Sequence, residues 1–326
     1  MRDAYHKFQR AGIEIYAISY DDQAVLREFS EKQKIPYRLL SDVDSTVIER
    51  FGILNDQVGR GDAFLTGIPY PGVYITDEDG TVIAKSFHHS YKKRDSPEML
   101  IDAALGTIQL DDDGESASDT TEALRVTAKV HGGKGTIRQG VRRQLVVRCE
   151  LANGMHLYGE PVPDGMVPTT ISLSGPPGLV IEETCAPATT PLHLESMGMT
   201  LPIWHGIVDF VIPFYATGEL ASETRPLDVP AVDLELTVRY QACNDEICLA
   251  PQTLALPLRV SLEVVDVPAL GMHTGHGQKE GNFSGAPHMA RLILRKFRQN
   301  PLGLPRLIWK TVGLEWAARR RRAERK

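Results

Sequence analysis

The sequence predicts a layered α/β domain, then an all-β antiparallel region, then a basic helical tail. Three observations carry that expectation. Strand-length apolar runs alternate with helix-period runs over the first hundred residues, which is the pattern of a β/α layer architecture. Two long period-two runs flank a tight loop near residue 245, as in two neighbouring strands of an antiparallel sheet. From His288 onward the chain holds twelve basic and two acidic residues, while the whole chain carries −6.

The elements follow in order. Residues 13–19 read as a buried strand, and Asp22 is placed to cap a helix with the apolar stripe Val25, Leu26 and Phe29. Residues 37–40 give a short strand. Asp44 is placed to cap a helix carrying Val47, Ile48 and Phe51 that Gly52 stops, and residues 73–75 and 82–84 pair as a hairpin around residues 77–80. Asp95-Ser96-Pro97 opens the last helix of this part. Residues 110–121 are acidic, small and free of aromatics, which predicts a flexible linker.

Beyond the linker, Leu145, Val147, Cys149 and Leu151 share one strand face, so Cys149 reads as a small core hydrophobe and Cys185 as a free loop thiol. Leu234, Leu236, Val238 and Tyr240 alternate with Asp233, Glu235, Thr237 and Arg239, and after the loop Leu254, Leu256, Leu258, Val260, Leu262 and Val264 share one face. The loop between them holds Cys243 and Cys248, two of four cysteines. A reversing loop brings two such residues within the Cα separation of about 4.4–6.8 Å that a disulfide needs, whereas an extended strand does not. Three readings of the pair stand side by side: a reversible disulfide, a structural bridge or unpaired thiols, and a zinc site without a second ligand pair. Asp245 and Glu246 disfavour a thiolate and no base lies between the cysteines, so the pair suits a disulfide that a partner attacks, or a dithiol that acts after docking.

The run Thr237-Val238-Arg239-Tyr240-Gln241-Ala242-Cys243, with Cys248 and Pro251, resembles the active loop of the N-terminal domain of DsbD-type thiol:disulfide interchange proteins. This sequence has one residue fewer between its cysteines than the best-known members. Asn153-Gly154-Met155-His156-Leu157-Tyr158 resembles the segment of that family leading to the cap over the cysteines. The resemblance implies an immunoglobulin-like sandwich over about 123–268, catalytic roles for Cys243 and Cys248, and Tyr240 beside a bound partner. It also implies as partner a thioredoxin-fold protein or a DsbD-like membrane electron donor, and a periplasmic setting, although residues 1–8 do not read as a secretory signal.

Leu40-Ser41-Asp42 and Gly67-Ile68-Pro69-Tyr70-Pro71-Gly72-Val73-Tyr74-Ile75-Thr76-Asp77 resemble the redoxin (AhpC/TSA, peroxiredoxin-like) group of thioredoxin-fold proteins. That likeness covers about 1–106 and implies a cis peptide before Pro71, which would present backbone to a bound thiol or disulfide. The family's reactive cysteine sits at the start of the first helix, and here no cysteine precedes Cys149. The expectation is therefore a thioredoxin-like domain incomplete at its amino terminus and without its own nucleophile.

The resulting organisation is a redoxin domain over 1–106, an acidic linker over 107–122, a sandwich over 123–268, and a flexible linker with basic helical tail over 269–326. No cofactor and no metal are expected. His193, Met197, Met199 and His205, and Met272, His273 and His276, have the scattered spacing of ordinary loop and core residues. His88 and His89 are expected to be exposed. Apolar residues interleave with the basic tail, which suits contact with a membrane surface, and no nucleic-acid-binding fold accompanies the charge. Two function classes follow: a thiol-disulfide oxidoreductase, and a non-catalytic interaction scaffold with a structural bridge.

Overall fold

The computed structural model describes residues 1–56, 67–88, 93–110, 114–194, 198–221, 229–244 and 246–263, with scattered positions between 293 and 316. Most of the expected basic tail, His89, Asp245, Met197 and the histidines near 273 lie outside the described residues. The chain divides into two compact units whose main parts are Met1–Gln109 and Leu110–Val265.

In the first unit the strands Tyr16–Ser19 and Arg38–Ser41 pair in parallel, joined by the helix Gln23–Gln33. Asp22 Oδ1 accepts the Val25 N–H at 2.9 Å, as its position before the helix predicts, and Lys34 ends the helix in the left-handed region. Only Leu26 of the expected stripe is buried; Val25 and Phe29 are exposed. The short helix Thr46–Arg50 departs from expectation at its start. Asp42, not Asp44, takes the Ile48 N–H at 2.8 Å, because Ser45 turns left-handed and brings the earlier carboxylate under the first turn. Gly72–Thr76 and Val82–Phe87 form the expected hairpin, its turn held by Asp77 Oδ1, which accepts from the Asp79 and Thr81 N–H groups. Ser96 Oγ caps the helix Pro97–Leu105. Phe8, Leu100 and Ile101 are buried together, with Ile13, Ile15, Val73 and Ile75 packed against them.

Two expectations for this unit are corrected. The peptide before Pro71 is trans, since Glu160–Pro161 is the cis X-Pro bond among the described residues. The Tyr70 N–H donates to the Ile53 carbonyl and Leu54 bridges Pro69, which leads the chain into its strand extended, with the ordinary trans preference unopposed. His88 is not exposed: its Nε2 lies 3.1 Å from Asp95 Oδ1, with both side chains largely buried.

The second unit is a sandwich. One sheet runs in the order Leu179–Ile181, Ile207–Ala216, Val141–Leu151, Leu124–His131, Ser116–Thr120. The other runs Thr170–Ser174, Ala231–Tyr240, Gln252–Glu263, Ile137–Arg138. Period-two alternation drives this arrangement: Leu234, Leu236, Val238 and Tyr240 meet Leu256, Leu258 and Val260 inside, packed with Leu145, Val147, Phe210, Ile212 and Phe214 of the facing sheet. Each such side chain contributes roughly 1.5–3 kcal/mol by leaving water. On the outer face the cross-strand pair Arg148 and Asp209 makes two bonds of 2.8 Å, Nε to Oδ1 and Nη2 to Oδ2. Ser116–Thr120, expected inside the flexible linker, is an edge strand paired with Leu124–His131. Composition missed it because an edge strand buries little; Ala117 is its contact with the core.

Cys185 is exposed and free, as expected, with its backbone exchanging two bonds with Val211. Cys149 lies wholly inside, where burial, aided by the Asp209 charge, pushes its thiol up to about 12. Between about pH 9 and 12 the unfolded chain's thiol loses a proton that the folded one keeps, so unfolding becomes more favourable by about 1.4 kcal/mol per pH unit in that window. The expected result is that urea denaturation of Cys149→Ala falls less steeply with pH above 9 than that of the parent, while the two slopes agree below pH 8.

Candidate functional site

A third, smaller sheet carries the cysteines. Its order is Thr190–Leu194, Met199–His205, His156–Tyr158, Ala242–Cys243, all antiparallel. Alternation splits its residues between two environments. Leu157, Trp204 and Ala242 point into the main core, while Tyr158, Leu201, Ile203 and Cys243 form a separate cluster on the opposite face, flanked by Val162, Met166 and Met199. The sulfur of Cys243 is thereby held away from the sandwich interior by strand period alone.

Cys243 and Cys248 face each other as an antiparallel bridge with Cα atoms 4.1 Å apart, and they are joined as a disulfide. The turn is self-supporting. The Asn244 N–H donates to the Ile247 carbonyl, and Asn244 Oδ1 accepts from the Glu246 and Ile247 N–H groups at 2.9 and 2.7 Å. Gln241 clamps the base of the loop: its Oε1 accepts the Val167 N–H at 3.0 Å and its Nε2 donates to the Leu249 carbonyl at 3.1 Å. The residues Gln241, Ala242 and Cys243 thus have three separate tasks, namely clamp, core anchor and sulfur.

The two sulfurs differ in access. Cys243 is 0% exposed, whereas Cys248 is exposed, beside Glu246 and an Ile247 that is 56% exposed. Tyr158 Oη lies 3.7 Å from Cys248 Sγ, and His156 Nε2 lies 3.4 Å from Tyr158 Oη. Burial raises the Tyr158 pKa, so its hydroxyl keeps its proton at neutral pH and acts as a donor toward sulfur.

Of the residues singled out in the sequence, the structure brings Cys243 and Cys248 together and places the other two elsewhere. Tyr240 is 1% exposed, with its hydroxyl bonded to Thr121 at 2.9 Å and Gln252 at 2.7 Å. It is a core side chain, because its strand position faces the sandwich interior. Pro71 is half-buried and belongs to the other compact unit. His156 and Tyr158 are not singled out as site residues by the sequence: alternation puts them on one strand face, but only the strand order sets His156 opposite Cys243 and Tyr158 beside Cys248. Among the described residues no group of three or more His, Cys, Asp or Glu side chains is arranged to hold a metal.

Residues 1–85 match the model of the AhpC/TSA family, and residues 132–259 match that of the thiol:disulfide interchange protein DsbD, N-terminal. The chain joins a region that matches the first family model to a region that matches the second. The first part is similar to peroxiredoxin Q, chloroplastic, of Arabidopsis thaliana, 36% identical over 104 residues, which are 32% of this chain and 43% of that protein. It is also similar to peroxiredoxin Q, chloroplastic, of Oryza sativa subsp. japonica, 34% identical over 108 residues, 33% of this chain and 44% of that one. The chain spans less than half the length of these curated relatives. Among solved structures, the N-terminal periplasmic domain of ScsB from Proteus mirabilis shares 15% identity at a TM-score of 0.30, covering 43% of this chain and 49% of that one. The DsbD N-terminal domain of Neisseria meningitidis in its reduced form shares 17% at 0.25, covering 36% and 77%.

Proposed function

We propose that this protein is a thiol-disulfide oxidoreductase that passes electrons through Cys243 and Cys248. The observation that carries the reading is a bridged pair on a hydrogen-bonded turn with one cysteine exposed and the other buried. A partner thiolate attacks Cys248 Sγ; the Cys243–Cys248 bond breaks, a partner–Cys248 disulfide forms, and Cys243 leaves as a thiolate and takes a proton. A second partner thiolate then attacks the partner's own bridged sulfur. That releases Cys248 as a thiol and leaves the partner oxidised by two electrons and this protein reduced by two. The reverse sequence begins with the Cys248 thiolate and ends with Cys243 closing the bridge.

The partner in this reading is a thioredoxin-fold protein or a DsbD-like membrane donor, in line with the match of residues 132–259. Residues 1–109 hold no cysteine and supply no nucleophile to the reaction, so no peroxidase step is assigned to them. The competing reading is a scaffold in which the bridge is only structural. Redox titration in glutathione buffers separates the two, using Cys185→Ser protein so that the exposed free thiol takes no part. A bridge that equilibrates between about −180 and −280 mV supports exchange, and one that stays oxidised below about −300 mV supports the scaffold.

A further inference from the structure

The proposed exchange leaves unexplained how a thiolate is stabilised in a loop that carries acidic residues and no base. The small sheet supplies an answer from the side. His156 is paired with Cys243 on one neighbouring strand and with His205 on the other, so the three side chains form a row on the same sheet face. His156 is buried, whereas His205 is exposed. Two residues on, Tyr158 points the same way, its ring packed edge-on to the imidazole with centroids 5.2 Å apart.

Hydrogen counting orients the chain of contacts. Tyr158 has one proton, and a disulfide or thiolate sulfur is only an acceptor, so the contact at 3.7 Å has Tyr158 Oη–H donating to Cys248 Sγ. The Tyr158 oxygen is then an acceptor, and His156 Nε2–H is its donor at 3.4 Å. Two donors in series point at the exposed sulfur, and each polarises the next in a partly buried setting. Among the described residues, the titratable groups facing the imidazole include Tyr158 on its own strand, His205 across one edge, and Cys243 with Cys248 across the other.

The geometry points to His156 as a positioning residue that stabilises the Cys248 thiolate through Tyr158. The inference rests on the proposed exchange reaction, but its test needs no protein partner. No proton leaves Tyr158: it donates throughout, and the negative charge stays on sulfur.

The test is the rate of iodoacetamide alkylation of Cys248 in reduced Cys185→Ser/Cys243→Ser protein across pH 5–10. His156→Phe and Tyr158→Phe are each expected to slow alkylation about tenfold at pH 6, with the apparent thiol pKa raised by about one unit. The double variant is expected to go no further than either single one, and His156→Gln, which keeps a donor, is expected to recover part of the rate. Equal profiles for parent and His156→Phe, or effects of the two substitutions that multiply, would overturn the relay. Failure of the exchange reading appears separately, as a parent bridge that glutathione does not reduce.

Discussion

Cys243→Ser protein is expected to capture a thiol reagent at residue 248, and Cys248→Ser protein almost none at residue 243. In a Cys185→Ser background, 5,5′-dithiobis(2-nitrobenzoate) is expected to react with the first variant at least ~100-fold faster than with the second, because exchange requires a straight approach to an accessible sulfur. Cys248 lies exposed on the turn, whereas Cys243 is sealed among Tyr158, Leu201 and Ile203. Cys149 does not confuse the reading, being buried and held far above the pH of the assay. With a thioredoxin-type partner reduced to a single cysteine and activated as its mixed disulfide with thionitrobenzoate, Cys243→Ser protein is expected to displace thionitrobenzoate through the Cys248 thiolate and hold the mixed disulfide on a non-reducing gel. It has lost the thiol that would release the partner. Equal reactivity of the two variants would remove the asymmetry on which the direction of attack depends.

Tyr240→Ala is expected to cost about 3–5 kcal/mol of stability in urea denaturation, as deletion of a large buried ring does. The ring lies in the main core, and its hydroxyl ties the start of Leu124–His131, through Thr121, to Gln252 of the neighbouring strand. Tyr240→Phe keeps the ring and loses the two bonds, for an expected ~1–2 kcal/mol. The decisive measurement is the exchange rate of the Phe variant with reduced glutathione. A rate within twofold of the parent places Tyr240 in the scaffold, and a tenfold fall would return it to the reacting surface that its motif suggests.

Much of the site is legible in the order of residues alone. Alternation over Ala231–Tyr240 and Gln252–Glu263 is so regular that the intervening residues must form a reversing loop, and two cysteines in such a loop are within bonding reach. Asp22 and Ser96 announce their helices because a cap acts through bonds to residues three positions on. Asp42 does not, since its bond to Ile48 depends on the left-handed turn at Ser45. His156–Tyr158 has three residues, too few for a period to stand out, and its place beside the cysteines comes from strands far away in sequence.

The chain's own residues determined which segments alternate, where turns and caps fall, and that two thiols share one loop, because these properties depend on neighbours a few positions apart. Which cysteine is covered, which tyrosine sits beneath the loop and which stands beside the sulfur were decided only by tertiary structure. The reason is that burial and approach depend on strand order, and strand order brings together residues from 156 to 248 that no local period connects.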